Sequence, residues 1–193
     1  MSKKTGQTTH SSGSRGAAQS KAMEAAPPTR RTVWSPLELL IRIVWSTLAH
    51  VVWVFVPPLR STLLRLFGAK VGKKCSFART VKIIIPWNLE IGDHCNFADE
   101  VILYSLGPII IGDNVRIDTR AHLCAGTHDM KDTTFPLLRP PISIGNDTFI
   151  GIDAYIAPNV VVGNKCTIWP RTSVFKSCDN EAELSGNPAR VVA

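Results

Sequence analysis

One spacing dominates this chain. From Val71 onward an aliphatic or aromatic residue returns every six positions, at 71, 77, 83; 91, 97, 103; 111, 117, 123; 144, 150, 156; and 162, 168, 174. All fifteen are Val, Ile, Leu or Phe. Each group of three opens on an aliphatic-Gly-polar step: Val71-Gly72-Lys73, Ile91-Gly92-Asp93, Ile111-Gly112-Asp113, Ile144-Gly145-Asn146 and Val162-Gly163-Asn164. Four places past the anchor the residues are nearly all small or β-branched; Trp87, Gly107 and Thr127 stand where the register breaks, each in the third hexad of its group. An amphipathic helix needs a period near 3.6 and an ordinary strand a period of two, so neither produces this pattern. A short strand plus a corner does. The anchor points inward, the Gly or Asp/Asn makes the turn, and the small residue fills the narrow inner edge. Stacked coils pair in parallel and bury one continuous core. The reading is a parallel β-solenoid of about five coils within residues 69–193. Cys75, Cys95, Cys166 and Cys178 fall in the small inward slot, where cysteine acts as a small hydrophobe. Cys124 follows an anchor and is expected to be more exposed.

The register breaks only after third hexads. Two extra residues occur near Pro86-Trp87 and again near Gly107-Pro108, and Leu123 and Ile144 are separated by 21 residues. The last break predicts a loop over 129–143 projecting from one corner, and loops on a rigid scaffold are where function concentrates. His128 stands at its base. Imidazole titrates near neutrality, which suits it to accept a proton and return it; a surface histidine at a loop mouth is the plain alternative. Asp129 could orient His128 or merely form a turn.

Ahead of the repeat lie two different zones. Residues 1–32 are rich in Ser, Thr, Gly, Ala and Lys and read as a disordered basic tail. Residues 1–31 carry six Lys/Arg against Glu24 alone, so most of the net charge of +7 sits there. The body is nearly neutral, which argues against a nucleic-acid-binding domain. Five cysteines in 193 residues are too few for a secreted disulfide scaffold. The run from Trp34 to Val56 is almost wholly apolar and stops at Pro57-Pro58, within a helical segment over 33–68. Arg42 and His50 interrupt it. Packing on the body, lying at a membrane surface and spanning a membrane all remain open for this segment.

Hexads of this kind resemble those of the hexapeptide-repeat acyltransferases, which fold as left-handed parallel β-helices. The segments PWNLEIGDH (86–94), LYSLGPIIIG (103–112), AHLCAGTHD (121–129), FPLLRPPISIG (135–145) and SGNPARVV (185–192) are similar to the colanic-acid-biosynthesis O-acetyltransferase group, close to maltose and galactoside acetyltransferases. The resemblance implies transfer of an acetyl group from acetyl-CoA to a sugar or exopolysaccharide hydroxyl, with His128 as general base and direct attack. It implies a homotrimer with sites between subunits and a cytoplasmic setting, with membrane contact through 34–67 left open. It places Asp99, Tyr104 and Asp129 toward the acceptor, and Lys176 and Arg190 toward coenzyme A. Trp169 stands where the family has Gly-Ala along the cofactor arm, so it either stacks on the cofactor or narrows its groove. Lys165 and Arg171 are weaker candidates. No metal is expected. A γ-class carbonic anhydrase, on the same solenoid, would need three converging histidines, for which only His94, His122 and His128 offer themselves; an inactive scaffold is the other alternative.

Overall fold

The computed structural model describes residues 34–192, so the tail expected over 1–32 lies outside the described residues. The described chain opens on a capping box. The Ser35 hydroxyl accepts from the Glu38 amide at 3.3 Å, and a Glu38 carboxylate oxygen accepts from the Ser35 amide at 2.8 Å. Helix α1 (Pro36–Val44) follows, then a π-helical turn (Trp45–Ala49), α2 (His50–Phe55), a 3-10 turn (Pro57–Leu59) and α3 (Arg60–Leu66). Trp45, Ala49 and Trp53 are buried in the core cluster. Residues four apart drift by about 40° per step around an α-helix. The wider π turn removes much of that drift and keeps the three side chains on one face. The segment packs on the first coil of the solenoid. The Trp45 indole N–H donates to the Ile83 carbonyl at 2.9 Å and the Trp53 indole N–H to the Arg79 carbonyl at 3.1 Å. Buried Arg60 fastens the turn between helices, donating to the carbonyls of Trp53 at 2.8 Å and Phe77 at 2.6 Å.

The solenoid has three parallel faces. The first stacks β1 (Lys70–Val71), β4 (Leu89–Ile91), β7 (Ile109–Ile111), β12 (Ile142–Ile144) and β15 (Val161–Val162). The second stacks β2 (Ser76–Phe77), β5 (Asn96–Phe97), β8 (Arg116–Ile117), β13 (Phe149–Ile150) and β16 (Thr167–Ile168). The third stacks β3 (Lys82–Ile83), β6 (Ile102–Tyr104), β9 (His122–Cys124), β14 (Tyr155–Ile156) and β17 (Ser173–Val174). The register is the one the hexads dictate: Phe77 pairs with Phe97, Ile83 with Leu103, Ile144 with Val162. A partial sixth coil closes the top. Cys178 bridges Val162, β18 (Glu183–Ser185) pairs with β16, and β19 (Arg190–Val191) returns antiparallel onto β18. Cys178 therefore starts a new coil as an anchor-like residue instead of filling the small slot assigned to it.

The corners turn differently from the sequence reading. The glycine after each first anchor is not the left-handed residue. That conformation falls two places later, on Lys74, His94, Asn114, Asp147 and Lys165, with φ of 55–60°. A left-handed L-residue is costly, and stacking offsets it. The His94 amide donates to the Lys73 carbonyl, and the Asn114, Asp147 and Lys165 amides donate likewise to the coil before, at 2.7–2.8 Å. The glycines serve close approach. A Cβ on Gly145 would lie 2.5 Å from the Gly163 backbone. The room goes to a ladder of side-chain oxygens. Those of Asp93, Asp113, Asn146, Asn164 and Asn180 accept in turn from the amides of Lys73, Asp93, Asp113, Asn146 and Asn164, at 2.6–2.8 Å. This ladder is why Gly-Asp/Asn recurs. The small slot is also ordered, with the Cys95 thiol directed at the Gly112 carbonyl at 3.0 Å and the Thr148 hydroxyl donating to the Gly163 carbonyl at 3.0 Å.

The projecting element is an antiparallel hairpin of β10 (Thr127–His128) and β11 (Leu137–Leu138). It is shorter than the loop expected over 129–143, because the first face resumes at Ile142, paired with Ile109. The earlier break is absorbed by a 3-10 turn (Pro86–Asn88), whose Asn88 amide side chain donates to the Ser105 and Leu106 carbonyls at 2.9 Å.

Candidate active site

The hairpin sets the state of one imidazole. His128 is exposed on β10, opposite Leu137, and its Nδ1 lies 2.7 Å from the Phe135 carbonyl oxygen. A carbonyl oxygen only accepts, so in the neutral imidazole Nδ1 carries the proton and Nε2 keeps the lone pair. Phe135 holds that carbonyl in place at a cost, with φ at 47°. An Asx turn supports it. Asp132 Oδ1 accepts from the Thr134 amide and hydroxyl, both at 2.8 Å, and the Phe135 amide donates to the Asp132 carbonyl at 3.0 Å. These bonds hold the Asp132 carboxyl below its ordinary pKa, the Thr134 amide first. The Asp129 carboxylate accepts from the Lys131 amide at 2.9 Å, so it shapes the loop tip, while a backbone carbonyl orients His128.

Below the hairpin the third face carries a column of rings. Tyr104 and His122 meet edge to face at 6.0 Å, His122 and Tyr155 at 5.5 Å, and Tyr155 and Phe175 are tilted at 5.8 Å. His122 Nε2 is buried without a partner, and desolvation lowers the imidazole pKa. Burial, and next the Cys124 thiol, push the Tyr155 hydroxyl up to about 12. Tyr104 lies opposite Cys124, within one coil of the hairpin base. Asp99 is on a different corner, between second and third faces, accepting from the Thr80 hydroxyl at 2.7 Å. Cys124 is half-buried with its thiol directed at the Gly126 carbonyl, less open than its place after an anchor implied.

The residues assigned to coenzyme A divide into two places. Lys176 and Arg190 line one cavity of about 770 Å³ at the top of the solenoid, under β19. Trp169 is not with them. It follows β16 at the next corner and is 45% exposed, its indole N–H donating to Glu183 at 3.3 Å. Lys165 and Arg171 are engaged by Glu181 at 3.6 Å and Asp153 at 3.7 Å. Among the described residues, no three His, Cys, Asp or Glu side chains gather closely enough to hold a metal.

The description "Bacterial transferase hexapeptide (six repeats)" matches residues 141–176. WcaF of Escherichia coli (strain K12), which bears the name of a colanic acid biosynthesis acetyltransferase, is 41% identical over 133 residues, covering 69% of this chain and 73% of WcaF. The chain belongs to the hexapeptide-repeat acetyltransferases. Its fold is that of solved members. The acetyltransferase VCA0836 of Vibrio cholerae superposes with a TM-score of 0.74 at 22% identity, covering 82% of this chain and 93% of that one. A galactoside acetyltransferase in complex with coenzyme A gives 0.71 at 23% identity, with 84% of each chain covered. The acetyltransferase is thus a CoA-dependent acyltransferase, and the carbonic-anhydrase alternative has no counterpart among these relatives.

Two features of the acetyltransferase's site escaped the sequence reading. The orienting group of His128 is a main-chain carbonyl, which no side-chain pattern marks. Arg139, the residue after the hairpin's last pair, lies over the Trp34 ring at 3.9 Å, with its Nε and Nη2 buried and unpartnered. Trp34 is also faced by Arg42 at 4.6 Å. The start of the helical segment therefore braces the root of the hairpin that carries His128, a contact across about a hundred residues of sequence.

Proposed function

We propose that His128 is the general base of an O-acetyl transfer from acetyl-CoA to a hydroxyl of a sugar or exopolysaccharide precursor. The observation that carries this reading is the Nδ1 contact to the Phe135 carbonyl, which leaves Nε2 free to accept. The acceptor hydroxyl gives its proton to Nε2 as its oxygen bonds to the thioester carbonyl carbon. The tetrahedral intermediate collapses, the carbon–sulfur bond breaks, and His128 returns the proton to the CoA thiolate. No acyl-enzyme forms. Lys176 and Arg190 face one cavity and are suited to the cofactor's phosphates. The acceptor class is taken from WcaF, whose name concerns colanic acid biosynthesis.

A base on an open hairpin works best when a second wall excludes water. We propose that a neighbouring copy supplies it in a homotrimer. Unpaired cysteines, all five of them, and an acetyl-CoA donor fit a cytoplasmic enzyme. The test is acetyl-CoA consumption with a panel of sugars and nucleotide sugars. His128→Ala should lower the rate about 10²–10⁴-fold with the fold intact. Turnover at the wild-type level would reject the assignment.

A further inference from the structure

The helical segment buries one stripe and leaves another bare. Leu37, Leu40, Ile43, Val51 and Phe55 are 57–77% exposed, and Leu59 and Leu66 continue the bare surface into the next turns. The hydroxyls among them need no water. The Thr47 and Ser46 side chains both donate to the Ile43 carbonyl, at 2.7 and 3.1 Å. Charge lies beside this stripe. Arg42, Arg79 and Lys82 line a groove of about 1040 Å³ together with Leu39 and Ile43, against one carboxylate, Glu100. None of the three cations is ion-paired among the described residues. Immediately upstream the sequence carries six Lys/Arg against one Glu.

We propose that this segment seats the enzyme flat on an anionic bilayer surface, its bare apolar stripe in the interface and the adjoining cations on phospholipid headgroups. The juxtaposition of apolar stripe and unpaired cations is what an interfacial helix requires. Crossing the bilayer is excluded by the packing. The helical run is tied to the first coil at Trp45 and Trp53, in its middle and second half, so a spanning orientation would carry Arg79, Lys82 and Glu100 into hydrocarbon. A second copy of the chain is a poor occupant, because pairing stripe to stripe would bring two sets of like charges together. The seat needs no step of the acyl transfer and stands apart from it.

Sedimentation of the full chain with vesicles tests this. Phosphatidylcholine vesicles containing phosphatidylglycerol should retain the protein about tenfold or more better than phosphatidylcholine alone, with the difference erased by high salt. Leu40→Glu and Phe55→Glu should each lower partitioning about tenfold, while melting temperature and transfer to a soluble acceptor stay unchanged. Failure of the wild type to bind, or wild-type binding by both variants, overturns the proposal. Retention after alkaline carbonate, which marks a span, also overturns it, as does a change of oligomeric mass in the variants with vesicle binding intact.

Discussion

Phe135 offers a test of how His128 is held, because its contribution lies in its carbonyl and its backbone angle. Its φ of 47° is a conformation glycine adopts freely. Ordinary L-residues enter it at about 1–2 kcal/mol, and β-branched ones do worse. Phe135→Gly removes that strain and adds chain entropy of about 0.5–1 kcal/mol, so the anchored loop should persist. Phe135→Val adds about 1 kcal/mol of strain, comparable to the net worth of the hydrogen bond it presents to Nδ1. The carbonyl then leaves Nδ1 for a large share of the time, and the imidazole is free to carry its proton on Nε2, where it cannot act as base. The expected result is a loss of about three- to tenfold in kcat/KM for the valine variant and near-wild-type turnover for glycine, measured by acetyl-CoA consumption. Equal impairment of both variants would show that the phenyl ring does the work, and unimpaired valine would show that the carbonyl contact is idle. Either result refutes the tautomer argument.

The corner ladder and the buried imidazole give two further expectations. Gly145→Ala places a methyl against the Gly163 backbone and should lower the melting temperature by about 3–10 °C, since backbone cannot give way as a side chain can. His122 is held neutral by burial, with its folded pKa below the ordinary 6.5. The unfolded chain therefore binds the extra proton first, and stability falls as pH drops from 6.5 toward the folded value. Melting curves between about pH 7.5 and pH 5.5 should show that slope in the wild type and a shallower one in His122→Phe, which keeps a ring between Tyr104 and Tyr155.

Much of this architecture is legible in the spacing alone. Fifteen anchors in groups spaced by six state the strands of the five full coils, their register and which side chains point inward, because each coil repeats the same local solution. The Gly-Asp/Asn steps mark the first corner, although the strained residue lies two places beyond the glycine. The reason is that neighbouring coils decide where a side chain fits: an Asp or Asn oxygen occupies the space a Cβ would need. The sixth coil was hidden because its spacing shrinks, with Cys178 sixteen residues after Val162. The capping box at Ser35–Glu38 marks where the helical segment begins, a boundary the apolar run alone did not fix.

The candidate His128 was visible as a type and a place, and its state was not. His128 at the foot of an insertion follows from counting, since an interruption in a periodic stack must leave it at a corner. Its tautomer depends on a carbonyl seven residues away, brought back by a turn the period does not encode. That Lys176 and Arg190 share a cavity that Trp169 does not line likewise depends on how the last coil and β19 fold over the top of the stack. The helical segment shows the same division. Composition made it apolar throughout, and only docking of Trp45 and Trp53 on the first coil decided which face is buried and which is left to meet another surface. Repetition writes the scaffold into the sequence because its contacts recur at fixed intervals. The hairpin, the brace and the bare stripe are single events between distant residues, so folding alone selects them.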